Sequence, residues 1–396
     1  MGPKNAVAAL AEFAKREYPD TKTDLFAMFI ERCLELVREN GYVGMITMQS
    51  WMFLSSYQKL RKMLLRESSI NSMAHLGARA FDSIGGEVVS TTAFVLHLGA
   101  EAAATEPGVF LRLVDGNSEA EKIKQLNAAL DTQSKDGGYF IASASTFEAI
   151  PGTPIGYWLS EKMRSAFKKG KPLGEIAEPR GGMGAGSNAL FVRNWWEVSK
   201  QRCAFDLPSG EAAVKSKARW FPYNKGGEYR LWYGNQEFLV NWENDGEAVK
   251  NYIVERYPYL NGNPGMKVRN TQFFFLPSIS WSKISSGAPA FREYPQGFIF
   301  DVAGTSFFAD STSLRHDLIS FTNSTVALEM LTALSPTLNF EVGQVGQLPI
   351  MPKIESSDIE SNVKLLVNAA RCDWDSVECS WEFKENDTIA INHSLP

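Results

Sequence analysis

Between Arg219 and Asn235 the chain interleaves aromatic rings, basic side chains and glycines. The run is Arg219-Trp220-Phe221-Pro222-Tyr223-Asn224-Lys225-Gly226-Gly227, followed by Arg230-Leu231-Trp232-Tyr233-Gly234-Asn235. Rings stack on bases and Lys/Arg side chains grip phosphates, so this mixture suits a surface that holds nucleic acid. A second dense stretch, Ile279-Ser280-Trp281-Ser282-Lys283-Ile284-Ser285-Ser286-Gly287, is answered by residues 297–306. It reads as a strand, a polar turn and a second strand closing on an Ala-Gly turn. The same residues also suit an aromatic core hairpin with solvated lysines.

Other chemistries find little support. Gly181-Gly182-Met183-Gly184-Ala185-Gly186-Ser187-Asn188 fails the dinucleotide pattern, because Ser187 stands where the last Gly belongs and Glu178-Pro179-Arg180, not an apolar strand, precedes it. Histidines occur only at 75, 97, 316 and 393, and no paired carboxylates or Ser/His/Asp set stands out, so hydrolysis is not indicated. His75 follows a strand and reads as structural. The four cysteines at 33, 203, 372 and 379 lack metal spacing, so no metal is expected. Trp and Tyr beside Asn and Asp would also serve a carbohydrate-binding module.

The elements that must position such residues follow from periodicity. The 396 residues, 44% hydrophobic and 12% aromatic, suggest two or three globular domains. Thr23 looks like an N-cap, with Asp24 in the first turn of a helix that Asn40-Gly41 ends. Residues 43–48 read as a buried parallel strand, 55–66 as a helix, and 70–76 and 88–98 as strands. That alternation is an α/β signature and predicts a mostly parallel sheet. Ligands bind beyond the carboxyl ends of such strands, which places Gln49, Ser50 and Trp51 at a candidate site. Trp51 equally suits a core cap.

Residues 99–150 read as a connector. From 151 to 350 aromatic-rich strands are separated by Asn-Gly and Gly-Gly turns. Residues 273–276 read as a buried strand, and Asp317 to about Leu334 as one helix. Residues 351–396 read as an acidic helical spacer and tail. No run reaches eighteen apolar residues and no basic-then-apolar leader opens the chain, so a cytoplasmic protein without membrane spans is expected. The net charge is -5, yet residues 162–230 hold 14 Lys/Arg against 6 Asp/Glu, a local +8. Residues 353–396 hold 4 basic and 9 acidic residues. A basic middle with acidic flanks fits a DNA-facing module.

Several blocks, in order, resemble the adenine-specific DNA methyltransferases of bacteriophage-exclusion (BREX) systems, the PglX type, which are related to fused restriction-modification methylases. Residues 24–31 are similar to the helix that packs beside the adenine of S-adenosylmethionine, which implies cofactor contacts from Asp24, Leu25 and Phe26. Residues 46–51 are similar to the next motif strand. Residues 85–93 are similar to the loop and strand bordering a flipped base, which implies roles for Gly86 and Glu87 beside Gln49, Ser50 and Trp51. The Gly-rich stretch, then Asn188, Phe191, Arg193 and Trp195-Trp196-Glu197, resembles the opening of a target-recognition domain, and residues 338–350 its closing motif.

The resemblance implies an α/β fold: the C-terminal half of a class I (Rossmann-like) methyltransferase sheet at 1–98, then a mixed α/β target-recognition domain at 151–350. It implies contact with double-stranded DNA through Arg180, Asn188, Arg193, Arg219, Lys225, Arg230 and Lys283. Other subunits of such systems are further expected partners. The family's Asn-Pro-Pro-Tyr tetrapeptide is missing, since no Pro-Pro pair occurs anywhere. A segment like Met1-Gly2-Pro3-Lys4-Asn5 follows that motif in the family. The resemblance therefore implies a fragment beginning just past it, without catalytic residues and unable to bind S-adenosylmethionine well or to methylate alone. A non-enzymatic docking subunit is the alternative.

Overall fold

The computed structural model describes residues 7–83, 89–99, 106–285, 287–335, 339–352 and 358–384. The chain divides into two compact units, Met1–Gly170 and Lys171–Pro396.

The first unit contains helix α1 (Ala8–Glu17), α2 (Leu25–Leu36), β1 (Tyr42–Met48), α3 (Gln58–Glu67), β2 (Ser68–Gly77), β3 (Thr91–Leu98), β4 (Gly108–Arg112), α4 (Glu119–Thr132), β5 (Tyr139–Ala142), α5 (Ala144–Glu148) and α6 (Glu161–Lys169). Serines set the starts of two helices: the Ser118 side chain accepts from the Glu121 amide, and Ser160 from the Met163 amide. The sheet order is β1-β3-β2-β4-β5. The expected mostly parallel sheet is corrected here. β3 inserts between β1 and β2 and runs antiparallel to both, β4 and β5 are antiparallel, and only β2 and β4 pair in parallel. β1 is accordingly an antiparallel edge strand with alternating burial, not a strand buried on both faces. Residues 108–142, expected to lie in a connector, supply two strands and a helix of this unit.

Helices α2 and α3 cover one sheet face. Ala27, Ile30 and Leu34 meet Leu60, Leu64, Trp51, Phe94, Leu96 and Phe110 in one core. The opposite face is a shallow depression of about 380 Å³ lined by Ile46, Ala74, Val95 and Leu111 among others. Thr23 is not the cap of α2; Asp24 occupies that position, without a side-chain cap bond, and the helix stops at Leu36.

The second unit contains β6 (Lys171–Pro172), β7 (Glu178–Arg180), α7 (Asn188–Phe191), β8 (Val192–Asn194), α8 (Gly210–Ser216), β9 (Trp220–Asn224), β10 (Phe238–Asn241), α9 (Glu243–Arg256), β11 (Ser278–Ser282), β12 (Phe291–Tyr294), β13 (Ile299–Phe300), β14 (Gly304–Phe308), α10 (Thr312–Thr322), α11 (Thr325–Leu334), α12 (Val342–Val345), β15 (Pro349–Ile350) and α13 (Asp358–Asp375). Two four-stranded sheets, β13-β9-β10-β8 and β12-β11-β14-β7, accompany a β6-β15 ladder.

Three expectations are corrected in this unit. The stretch 297–306 does not simply return on β11. β13 leaves to pair with β9, while β12 and β14 flank β11. Residues 273–276 form a tight turn rather than a strand. Phe275 sits at φ +70°, held by its amide to the Phe298 carbonyl (2.8 Å) and by the Gly297 amide to its own carbonyl (3.0 Å). The single helix expected at 317–334 is two, because Ser324 caps a new helix through the Ala327 amide.

β11 is buried at every position although every second residue is a serine. The polar atoms are matched. Ser280 Oγ donates to the Thr305 carbonyl (2.9 Å) and accepts from Asn224 Nδ2 (2.7 Å), and Ser282 Oγ donates to the Gly227 carbonyl (2.7 Å). Buried polar groups left without such partners would each cost about 1–3 kcal/mol.

Candidate functional site

In the first unit β1 ends in a tight turn, Gln49–Met52, beside the end of β2. That is where the sequence places Gln49, Ser50 and Trp51. The three separate in role. Trp51 is fully buried and packs edge-on against Phe94, with ring centroids 5.0 Å apart, so it belongs to the core. Gln49 and Ser50 stay half-buried. Gln49 Oε1 lies 2.8 Å from His75 Nε2, and His75 Nδ1 lies 2.9 Å from the Tyr157 hydroxyl.

His75 is 4% exposed. Burial, reinforced by the charges of Arg112 and Lys122, pushes its pKa down from 6.5 to about 3. The imidazole is therefore neutral throughout the ordinary pH range. Burial also raises the Tyr157 phenol. Beside them Trp158 is half-buried, with Phe53 5.9 Å away and the Arg112 guanidinium 5.7 Å from its ring centre.

Arg61 braces this region. Its guanidinium donates to the carbonyls of Trp51 (2.9 Å), Leu54 (2.7 Å), Gly152 (2.7 Å) and Thr153 (3.1 Å), tying the turn after β1 to the segment that leads to Tyr157. Burial lowers its pKa to about 10, so it remains a cation at neutral pH. His75, Tyr157, Trp158 and Arg61 were not recognised as site residues from the sequence. Their only signal is a histidine at a strand end; the partner tyrosine is 82 residues away.

Asp24, Leu25 and Phe26 lie at the start of α2, where Phe26 meets Tyr57 with centroids 5.6 Å apart and packs against the core that holds Trp51. Gly86 and Glu87 lie outside the described residues.

In the second unit the seven expected DNA contacts do not form one patch. Arg193 and Arg219 come together, their guanidiniums 5.9 and 5.5 Å from the centre of the Trp220 ring. Arg202, not singled out in the sequence, joins them by sharing Glu243 with Arg219, at 3.5 and 3.9 Å. Lys225 lies 5.9 Å from the Phe238 ring centre, and Phe238 pairs with Asn194 next to Arg193. Asn188 is exposed at the start of α7.

The other three have partners of their own. Arg180 pairs with Glu178 and sits over Phe273, Lys283 pairs with Glu341 (2.9 Å), and Arg230 pairs with Asp373 of α13 (2.8 Å) beneath Trp374. Arg292, fully buried, holds the loop that carries Arg230. It donates to the carbonyls of Glu228 (3.2 Å) and Arg230 (3.3 Å) and to Ser282 Oγ (3.0 Å). Gly227, at φ +137°, is required there, since a Cβ would meet the Asn235 side chain at 2.7 Å.

Among the described residues no group of three His, Cys, Asp or Glu is placed to hold a metal, and no helix is long and apolar enough to cross a membrane.

Comparison with known proteins bears out the resemblance read from the sequence. The family described as Eco57I restriction-modification methylase matches residues 3–81. Over 99% of its length the chain is 40% identical to an adenine-specific methyltransferase PglX of Lacticaseibacillus casei (strain Zhang), covering 32% of that protein. Over 98% it is 37% identical to an adenine-specific methyltransferase BrxX of Escherichia coli O9:H4 (strain HS), covering 30% of it. The chain thus spans about a third of these relatives. The fold is similar to that of the Type IIL restriction-modification enzyme MmeI solved in complex with DNA, at TM-score 0.54 and 10% identity over 97% of this chain and 49% of that one.

Proposed function

We propose that the chain carries the target-recognition part, and one wall of the target-base pocket, of a site-specific DNA adenine-N6 methyltransferase of a phage-defence system. The observation that carries this is the similarity over nearly the whole chain to two adenine-specific methyltransferases. The parent reaction is methyl transfer from S-adenosylmethionine to the adenine amino nitrogen. The first unit then represents the C-terminal half of a Rossmann-like methyltransferase sheet, and the second unit the recognition domain.

Only a wall of a cofactor site fits the residues present. Phe26 is engaged by Tyr57 and by the core, and Asp24 opens α2, so neither alone would hold S-adenosylmethionine. The chain by itself is expected not to methylate DNA. Transfer of tritiated methyl groups by the isolated chain would refute that expectation.

The Arg193–Arg202–Arg219 group near Trp220 is the strongest candidate phosphate grip, because Arg202 and Arg219 share the single carboxylate of Glu243 while Arg193 lies by the same ring as Arg219. Fluorescence anisotropy of a mixed-sequence duplex across a salt series tests it. Binding should weaken steeply with salt, by roughly 0.9 in logarithmic slope for each phosphate neutralised. Arg219→Ala should lower that slope by about one for all sequences alike, as a phosphate contact does.

A second reading has its own support. β1 is an edge strand on which Ile46 is exposed, and Phe29 and Leu36 are exposed on α2. An edge with apolar neighbours favours docking of further polypeptide. Failure of the folded chain to bind DNA in low salt would favour a docking subunit over a recognition module.

A further inference from the structure

The hydrogens of the Gln49–His75–Tyr157 chain can be placed by elimination. Tyr157 is 3% exposed, and its ring is fixed by stacking on Phe110 at 4.9 Å and by edge contacts to Phe140 and Trp158. Among the described residues its hydroxyl meets one hydrogen-bonding atom, His75 Nδ1. A buried O–H without an acceptor is costly, so the phenol donates and Nδ1 accepts. A neutral imidazole then carries its hydrogen on Nε2. That N–H points at Gln49, and of the amide's two ends only the oxygen can accept it. The phenol therefore sets the imidazole tautomer, and the imidazole sets the amide.

We infer that His75, backed by Tyr157, is a positioning residue that turns the Gln49 amide so that its NH₂ group faces outward as a donor to a ring nitrogen of the target adenine. This rests on the reading above that the turn after β1 borders the target base. Gln49 is half-buried, and its NH₂ has no hydrogen-bond partner among the described residues. The turn that carries it is pinned by the backbone N–H of Gln49, which donates to the Ser90 carbonyl (2.9 Å), and by Arg61, which donates to the carbonyls of Trp51 and Leu54. Adenine offers acceptors at its ring nitrogens and donors at its amino group. An outward amide oxygen would address the amino group; an outward NH₂ addresses the ring.

The test compares two labelled duplexes by anisotropy. One places an adenine opposite an abasic site, so that the base is easily extruded. The other replaces that adenine by a nonpolar isostere of the same shape. The readout is the ratio of their affinities, which cancels general changes in folding or phosphate binding. The 396-residue chain should prefer the adenine duplex by roughly fivefold, the scale of one net hydrogen bond. Gln49→Ala, His75→Phe and Tyr157→Phe should each bring the ratio close to one. The double variant H75F/Q49A should show no loss beyond Q49A alone, because His75 acts through Gln49. A wild-type ratio of one, a retained preference in H75F, or losses that add in the double variant would overturn the inference. Y157F carries the same test if H75F does not fold.

Selective ¹⁵N-histidine labelling provides the second arm. His75 should show the Nε2–H tautomer, unchanged between pH 5 and 8, and a Nδ1–H tautomer would overturn the inference even in a chain that binds no DNA. Failure of the recognition reading differs: the wild type would then bind neither duplex at low salt, while the imidazole spectrum still decides the geometry.

Discussion

The two units bury their sheets in different ways. In the second, β9, β11 and β14 are buried at every position, and the polar atoms this encloses, such as those of Ser280, Ser282 and Asn224, are matched inside the unit. In the first, helices α2 and α3 cover one sheet face, and on the other Ile46 stays 60% exposed. Within this unit Arg61 and His75 sit buried, and among the described residues neither has a carboxylate partner. A unit with closed layers is stable by itself, whereas a unit with an open face is stabilised by whatever covers it. The second unit is accordingly expected to be the more stable of the two, and the first the more sensitive to its surroundings.

The largest test of that contrast is Trp281→Ala. The indole is fully buried, packs on Phe291 at 5.6 Å and donates Nε1–H to the Phe340 carbonyl (2.9 Å). Truncation should cost about 3–5 kcal/mol and unfold the second unit first. A urea transition of that unit unmoved by W281A would show that its closed core is not what stabilises it.

Next in size is a pH effect confined to the first unit. The pKa of His75 falls from 6.5 to about 3 on folding, so the unfolded chain binds more protons below pH 6.5. Stability is present above that value and is lost as pH falls from 6.5 toward 3. Between pH 7 and 5 the loss should be about 2 kcal/mol. Urea midpoints of the first unit at the two pH values measure it, and His75→Phe should flatten the dependence.

The sequence made some of this visible and hid the rest for physical reasons. Residues 43–48 were legible as a strand and 55–66 as a helix, because hydrophobic spacing is a local signal. Sheet direction was not legible. The 88–98 segment reads as a strand whichever neighbours it joins, and its insertion between β1 and β2 turns an expected parallel sheet antiparallel. The turn at Phe275 was hidden because a left-handed phenylalanine has no sequence signature and is imposed by Gly297 and Phe298.

The site divides in the same way. Gln49 was legible from its place after a strand, but His75 and Tyr157 take meaning only from each other. Arg193 and Arg219 were singled out singly, while their meeting over Trp220 depends on β8 and β9 flanking β10.

A smaller effect probes the matched serines. Ser280→Ala removes the acceptor of Asn224 and the donor to Thr305, but Asn224 Nδ2 keeps the Gly304 carbonyl at 3.1 Å. The cost should be about 1–2 kcal/mol, read as a shifted urea midpoint of the second unit with unchanged slope. No shift would mean that the buried serines are not part of what closes this core.

The smallest effect is the sharpest probe of the open face. Ile46 lies at the middle of edge strand β1, 60% exposed and lining the shallow depression with Val95 and Leu111. A lysine there keeps its stem on the sheet and its ammonium in water. Ile46→Lys should therefore change the stability of the chain by less than about 0.5 kcal/mol, as surface substitutions do. A loss of several kcal/mol would show the face to be covered within the chain, and the contrast between the units would disappear. If the loss appears only when a longer polypeptide or partner is present, the face is one that such a polypeptide covers, and the first unit's stability depends on that cover.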